Sequence, residues 1–168
     1  LKQQTVGDLY ATTIDFTYDN LNRLVREQSS SDVSDRNYDV SYKYDLAGNR
    51  IESKSSNETI TYSYNDAGQL TSENSNLNGI TNYSYDANGA LKTKQNGSEL
   101  VNYGYSHEDR LISADIQRSE NGKAVVIDAD YVYDHQGFKA RATSSVSVDG
   151  VSRSEEHTSE LQSPDHLV

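Results

Sequence analysis

The sequence predicts an all-β chain of tandem antiparallel β-hairpins, and three observations carry that reading. An aromatic-x-aromatic pair recurs six times, each copy closed by turn residues at a fixed distance. The aromatic supply is almost wholly tyrosine, with 13 Tyr against 2 Phe and no Trp or Met. Such a tyrosine-rich, aliphatic-poor chain favours a pleated surface over a helical one. No segment sustains a helical period, and Asn-Gly dipeptides punctuate the stretches between copies.

The six copies read, in order, DFTYDNLNRL from Asp15, SYKYDLAGNRI from Ser41, TYSYNDAGQL from Thr61, NYSYDANGAL from Asn82, NYGYSHEDRL from Asn102 and DYVYDHQGFKA from Asp130. The second aromatics are Tyr18, Tyr44, Tyr64, Tyr85, Tyr105 and Tyr133, spaced by 26, 20, 21, 20 and 28 residues. That period holds two short strands and two turns.

Within a copy, aromatics two apart, such as Tyr62 and Tyr64, share one strand face, while Ser63 between them takes the other. One face is therefore expected to be aromatic and packed, the other polar. Asp or Asn follows the second Tyr and can accept hydrogen bonds from its own following backbone; three residues later Gly supplies a positive φ without steric cost. Asp45 to Gly48, Asn65 to Gly68, Asp86 to Gly89 and Asp134 to Gly137 are thus expected to be tight hairpin turns. An aliphatic then opens the return strand, clearest at Leu70 and Leu91, with Ile51 one residue further along. Two copies depart. Asn22 stands where Gly is expected, which the left-handed tolerance of Asn accommodates, and the fifth copy reads SHED over Ser106–Asp109, so its turn is expected to be looser. Asn78-Gly79, Asn96-Gly97 and Asn121-Gly122 mark further turns between copies.

The pattern Tyr-x-Tyr-Asp-x-x-Gly-x-Leu, repeated at about this period over nearly all of residues 1–152, resembles the YD repeat of RHS proteins, of insecticidal toxin complex C components and of teneurins. The resemblance implies a continuous curved or spiralling sheet that forms a segment of a hollow shell around a C-terminal toxin or cargo domain. It also implies a secreted or cell-surface location in the manner of polymorphic toxins. Partners would be the rest of the same chain, namely further YD repeats, a core region and the C-terminal toxin or cargo. A secretion apparatus or surface carbohydrate are further expected partners. The chemistry of such proteins lies in the core region and toxin, outside the repeats.

Residues 153–168 stand apart. RSEEHTSELQS, from Arg153 to Ser163, resembles a standard short-read sequencing adapter translated in frame, and Pro164 to Val168 is compatible with its continuation through a barcode. These residues are expected to be a non-native tail, excluded from the fold and packing poorly onto the sheet. The chain opens on Leu1 and carries no Met, so the native start is expected upstream.

The formal net charge of −11 and the lack of a Lys/Arg cluster speak against a nucleic-acid partner. No apolar run reaches membrane-spanning length and no signal peptide opens the chain. Without cysteine there are no disulfides and no thiolate zinc sites.

No catalytic, cofactor-binding or metal residue is assigned. His107, Glu108 and Asp109 are adjacent in a turn, without the spacing that surrounds one ion. Asp86 to Gly89 shares the opening of a calcium loop but lacks the bidentate Glu that should follow. No nucleophile-elbow glycines frame a Ser. Asn57, Asn82 and Asn96 head formal glycosylation acceptors, meaningful in a eukaryotic secretory setting. The tyrosine rows could stack on sugars, but the same rings are needed as core. The expected role is a non-catalytic structural wall; the alternative is a carbohydrate- or receptor-binding adhesin repeat, which would leave an aromatic row accessible.

Overall fold

The computed structural model describes the backbone of residues 2–5 and 12–157, and side chains over residues 12–154. The described residues are all-β, with one 3-10 turn at Ser34–Arg36. The chain divides into two compact units, residues 1–80 and 81–168.

The first unit holds β1 (Lys2–Thr5), β2 (Thr12–Tyr18), β3 (Leu24–Ser31), β4 (Tyr38–Tyr44), β5 (Arg50–Lys54), β6 (Thr59–Tyr64) and β7 (Leu70–Ser75). Each pairs antiparallel with the next, a meander of tandem hairpins. The second unit runs from β8 (Gly79–Tyr85), which begins at the boundary, through β9 (Leu91–Asn96), β10 (Glu99–Tyr105), β11 (Leu111–Glu120), β12 (Lys123–Tyr133), β13 (Lys139–Val148) and β14 (Val151–His157). It has the same consecutive antiparallel pairing. The two long repeat spacings have different causes. The first gap takes up the 3-10 turn, whereas the last lengthens β11 and β12 to 10 and 11 residues around Asn121-Gly122.

Every YD hairpin breaks register at the same place. Lys43 faces Glu52 but Tyr44 faces Arg50, leaving Ile51 as an extra residue on the return strand. Ser63 faces Ser72 but Tyr64 faces Leu70, and the second aromatic of the other four copies skips one residue in the same way. Such a bulge bends the strand and increases its twist. Because side chains alternate with period two, the repeated one-residue skip keeps the Tyr pair and its partners in fixed phase from copy to copy.

Within each unit the strands form one layer, so a side chain is covered only by its neighbours in the sheet. The expected aromatic face is present: Tyr42, Tyr44, Tyr62 and Tyr64 are half-buried, and Lys43 and Ser63 between them are exposed. Its packing is lateral rather than against a second layer. Among the described residues, Val101 and Val125 are the buried apolar side chains.

The expectation for the tail meets a difference. Arg153 to His157 continue β14 in register with β13, from Val148 opposite Val151 to Ala142 opposite His157. Backbone pairing onto a strand edge depends little on side-chain identity, and the two-residue turn at Asp149-Gly150, with φ of 50° and 80°, aims the chain back along β13. Residues 158–168 lie outside the described residues.

Candidate functional site

Each unit holds three YD turns, all at the same end of their hairpins, and each turn is built by the residue after the second Tyr. In the second copy the Asp45 N–H donates to Asn49 O at 2.9 Å and the Gly48 N–H to Asp45 O at 3.3 Å. Asp45 Oδ1 accepts from Asn49 N at 2.8 Å. The fourth residue lies in the left-handed region, at Gly48 with φ 94° and at Asn22 with φ 59°. This is a three-residue hairpin loop closed by a residue at positive φ. Asp19, Asn65, Asp86 and Asp134 accept two backbone N–H groups each at 2.9 to 3.0 Å.

The fifth turn corrects the expectation of looseness. Ser106 N–H still donates to Arg110 O at 2.8 Å, and Asp109 N–H to Ser106 O at 3.2 Å. Asp109 takes the positive φ, at 56°. Ser106 Oγ replaces the carboxylate and accepts from Glu108 N and Arg110 N, at the longer distances of 3.2 and 3.4 Å. The backbone geometry therefore survives the sequence departure because a hydroxyl can do the acceptor's job.

Two contacts fasten one copy to the next. Tyr44 Oη donates to Leu24 O at 2.7 Å, Tyr64 Oη to Arg50 O at 2.9 Å, and Tyr133 Oη to Leu111 O at 2.8 Å. In each case the acceptor is the residue that faces the second Tyr of the preceding copy: Leu24 faces Tyr18, Arg50 faces Tyr44, and Leu111 faces Tyr105. Burial pushes the Tyr42, Tyr64 and Tyr105 hydroxyls above the ordinary phenol value.

The second fastening is cationic. Arg23 lies over the Tyr44 ring at 4.9 Å, ion-pairs with Asp19 at 2.7 Å and donates to Asp45 O at 3.0 Å. It so joins its own turn to the next one. Arg110 repeats the stack over Tyr133 at 5.7 Å and packs against Gly137 of the next turn. Arg50 lies between Tyr42 and Tyr62, at 5.3 and 5.0 Å. The sequence reading did not find these clamps. The signal for Arg23 and Arg110 is an Arg just before the returning Leu, in the two copies whose fourth turn residue is not Gly: Asn22-Arg23-Leu24 and Asp109-Arg110-Leu111.

Between successive turns lie shallow clefts, each within one unit. One is lined by Asp45, Ile51, Tyr62, Tyr64 and Asn65 among others, another by Asp86, Lys92, Tyr103 and Tyr105, and a third by Arg110, Ile112, Tyr131 and Tyr133. Every one combines polar groups of one turn, that copy's bulge residue and the aromatic pair of the following copy. The polar groups serve the fold itself: Asp45 and Asp86 face their own backbone, and Tyr64 and Tyr133 are spent on neighbouring carbonyls.

Glu108 accepts from Ser106 Oγ at 2.9 Å, a bond that holds its carboxyl below the ordinary value. Among the described residues no group of three His, Cys, Asp or Glu side chains is arranged to hold a metal ion. Asn57 and Asn82 are exposed, while Asn96 is half-buried and donates to Thr81 Oγ1 at 2.8 Å. No helix among the described residues is long and apolar enough to cross a membrane.

No family model and no curated protein matches the chain. Its fold is similar to the crystal structure of TcdB2-TccC3-TEV, with a TM-score of 0.61, 15% identity and 87% of this chain covered. It is similar also to that of TcdB2-TccC3-Cdc42, with 0.63, 15% and 88%, and to that of TcdB2-TccC3 without its hypervariable C-terminal region, with 0.63, 16% and 87%. The chain spans 9% of the length of each of these. The tandem hairpins carried by the six motif copies thus have a counterpart in fold in the solved TcdB2-TccC3 structures.

Proposed function

We propose that residues 1–152 are a non-catalytic wall segment of an RHS-type YD-repeat shell, secreted or displayed at the cell surface, which encloses a C-terminal toxin or cargo domain carried by the same chain. The observation that carries the reading is the fastening of one copy to the copy before it by Tyr Oη at Tyr44, Tyr64 and Tyr133 and, at Tyr44 and Tyr133, by Arg as well. A hairpin alone is marginal in water, and a unit that spends its aromatic hydroxyls on its neighbour is suited to an array rather than to a separate binding module. The fold likeness to TcdB2-TccC3 structures supports the same reading.

In this reading residues 153–168 are adapter-derived. Recovery of the genomic locus tests both points. Further YD copies followed by a distinct C-terminal domain are expected, with no RSEEHTSELQS in place. Electron microscopy of the full product is expected to give a closed hollow particle whose C-terminal domain resists protease until the particle is opened. An open rod, or a C-terminal domain cleaved at once, would overturn the shell.

The second reading, an adhesin repeat, draws on the half-burial of the tyrosine rows. Binding of soluble glycans by the full product, lost on substitution of Tyr62 or Tyr103 by Ala with folding retained, would favour it over the wall.

A further inference from the structure

Four Asn-Gly dipeptides occur in the chain, at Asn78-Gly79, Asn88-Gly89, Asn96-Gly97 and Asn121-Gly122. Their local chemistry is alike. An Asn side-chain carbonyl carbon stands next to a following N–H that no Cβ shields, so that nitrogen can attack it. The fold treats the four differently. The Asn78 amide donates to Glu58 Oε1 at 3.1 Å, which orients it towards a neighbouring loop of the same unit. The Asn96 amide donates to Thr81 Oγ1 at 2.8 Å and the residue is half-buried in β9, paired with both Thr81 and Glu99. At the second dipeptide the attacking nitrogen is held, because the Gly89 N–H donates to Asp86 O at 3.1 Å in the YD turn.

Asn121 and Gly122 are the contrast. They form the whole of a two-residue loop, since Glu120 faces Lys123, with φ of 52° and 76°. Both are exposed. Among the described residues no hydrogen bond engages the Asn121 side-chain amide or the Gly122 N–H.

We propose that Asn121 is the site of spontaneous deamidation in this protein, selected by the fold from four equivalent dipeptides. The Gly122 nitrogen attacks Asn121 Cγ, the new C–N bond closes a succinimide and ammonia leaves with the proton of that nitrogen. Water then opens the ring at either carbonyl, giving an aspartate in place of Asn121 or the isomer whose chain is routed through the side chain. No electrons are exchanged, and water is the only co-reactant. Either product adds one negative charge beside Glu120. Aspartate keeps the turn, as Asp149 shows with φ 50° at the same position of the β13–β14 loop. The isomer inserts an extra backbone atom into a loop whose length sets the register of a long hairpin, β11 with β12.

The test is incubation of the complete chain in mildly alkaline buffer, with conversion at each of the four sites followed by peptide mass spectrometry, in parallel under native conditions and in concentrated urea. Under native conditions Asn121 is expected to convert several-fold faster than Asn78, Asn88 and Asn96, and in urea the four are expected to converge. Equal native rates, or earlier conversion at any of the other three, would overturn the proposal. Persistence of the same ranking in urea would also overturn it, because neighbouring sequence rather than the fold would then make the selection.

Discussion

The Tyr44 hydroxyl donates to the carbonyl of Leu24 at 2.7 Å, and Leu24 is the residue that faces Tyr18 across the preceding hairpin. One phenol therefore links two copies of the motif through a backbone acceptor that every copy possesses, whatever its side chains. Tyr133 and Leu111 repeat the relationship in the second unit.

Replacing Tyr44 by Phe keeps the ring under Arg23 and removes only the donor. A net loss of about 1 kcal/mol is expected, typical of a partly buried hydrogen bond. Tyr133→Phe should cost a similar amount, and Tyr64→Phe less, because its bond to Arg50 O is exposed. Equilibrium denaturation of the three single variants checks the order.

Gly137 and Gly150 both lie at positive φ, 88° and 80°. A Cβ on Gly150 meets nothing within 4 Å, whereas one on Gly137 stands 2.8 Å from Arg110 Nη2. Both Ala substitutions carry the left-handed penalty of about 1 kcal/mol, but Gly137→Ala also displaces the guanidinium from the Tyr133 ring. It should be the more destabilising by roughly 0.5–1 kcal/mol, the worth of a cation–π contact at an exposed site. Thermal denaturation of the pair reads the difference.

Asp19 and Asp45 titrate below the ordinary carboxylate value of 3.8. The backbone N–H of Arg23 is the main cause for Asp19, and the Asn49 side chain for Asp45. A depressed folded-state pKa means that the stabilisation is present above 3.8 and drains as pH falls through the folded value. Asn65 fills the same position in the third turn without titrating. Asp45→Asn should therefore flatten the acid limb of a melting temperature against pH curve while leaving the neutral value nearly unchanged.

Tyr38 shows the opposite sign. Its hydroxyl donates to Glu27, and that bond, followed by burial, raises its pKa to about 12. The stabilisation is fully present below the ordinary phenol value of 10.0 and is lost as pH rises through the folded value. A spectrophotometric titration should show a late-ionising component near pH 12 that is lost in Tyr38→Phe and moves earlier in Glu27→Gln.

With Val101 and Val125 as the buried apolar side chains among the described residues, residues 1–152 alone should be weakly stable and prone to associate through their end strands. Amide exchange should find the greatest protection around Tyr64 and Tyr85. Uniform protection from Asp15 to Val151 in a monomer with a sharp thermal transition would identify a self-sufficient domain instead.

The strand–turn–strand unit, the number of its copies and its turn chemistry are legible in the order of residues alone. These are local matters: period-two alternation assigns the Tyr pair to one face, and Asp or Asn followed by Gly closes a loop with no help from distant residues. Even Asn22 was legible, because its left-handed tolerance is its own. The turn at Ser106–Asp109 is less legible, because its residues depart from the motif although backbone geometry needs only an acceptor and a residue able to take positive φ. The pairing of Arg153–His157 with β13 was likewise not legible, since an open strand edge accepts a backbone irrespective of its side chains.

What each copy does to its neighbour follows from the pairing of strands rather than from any one motif. The reach of Tyr44 to Leu24 and the stack of Arg23 on Tyr44 join residues about twenty positions apart, and their geometry depends on the register of consecutive strands. Register is a property of paired backbones rather than of any one segment. A repeated motif can announce that hairpins exist, but which carbonyl a tyrosine meets is settled only when the neighbouring hairpin is in place.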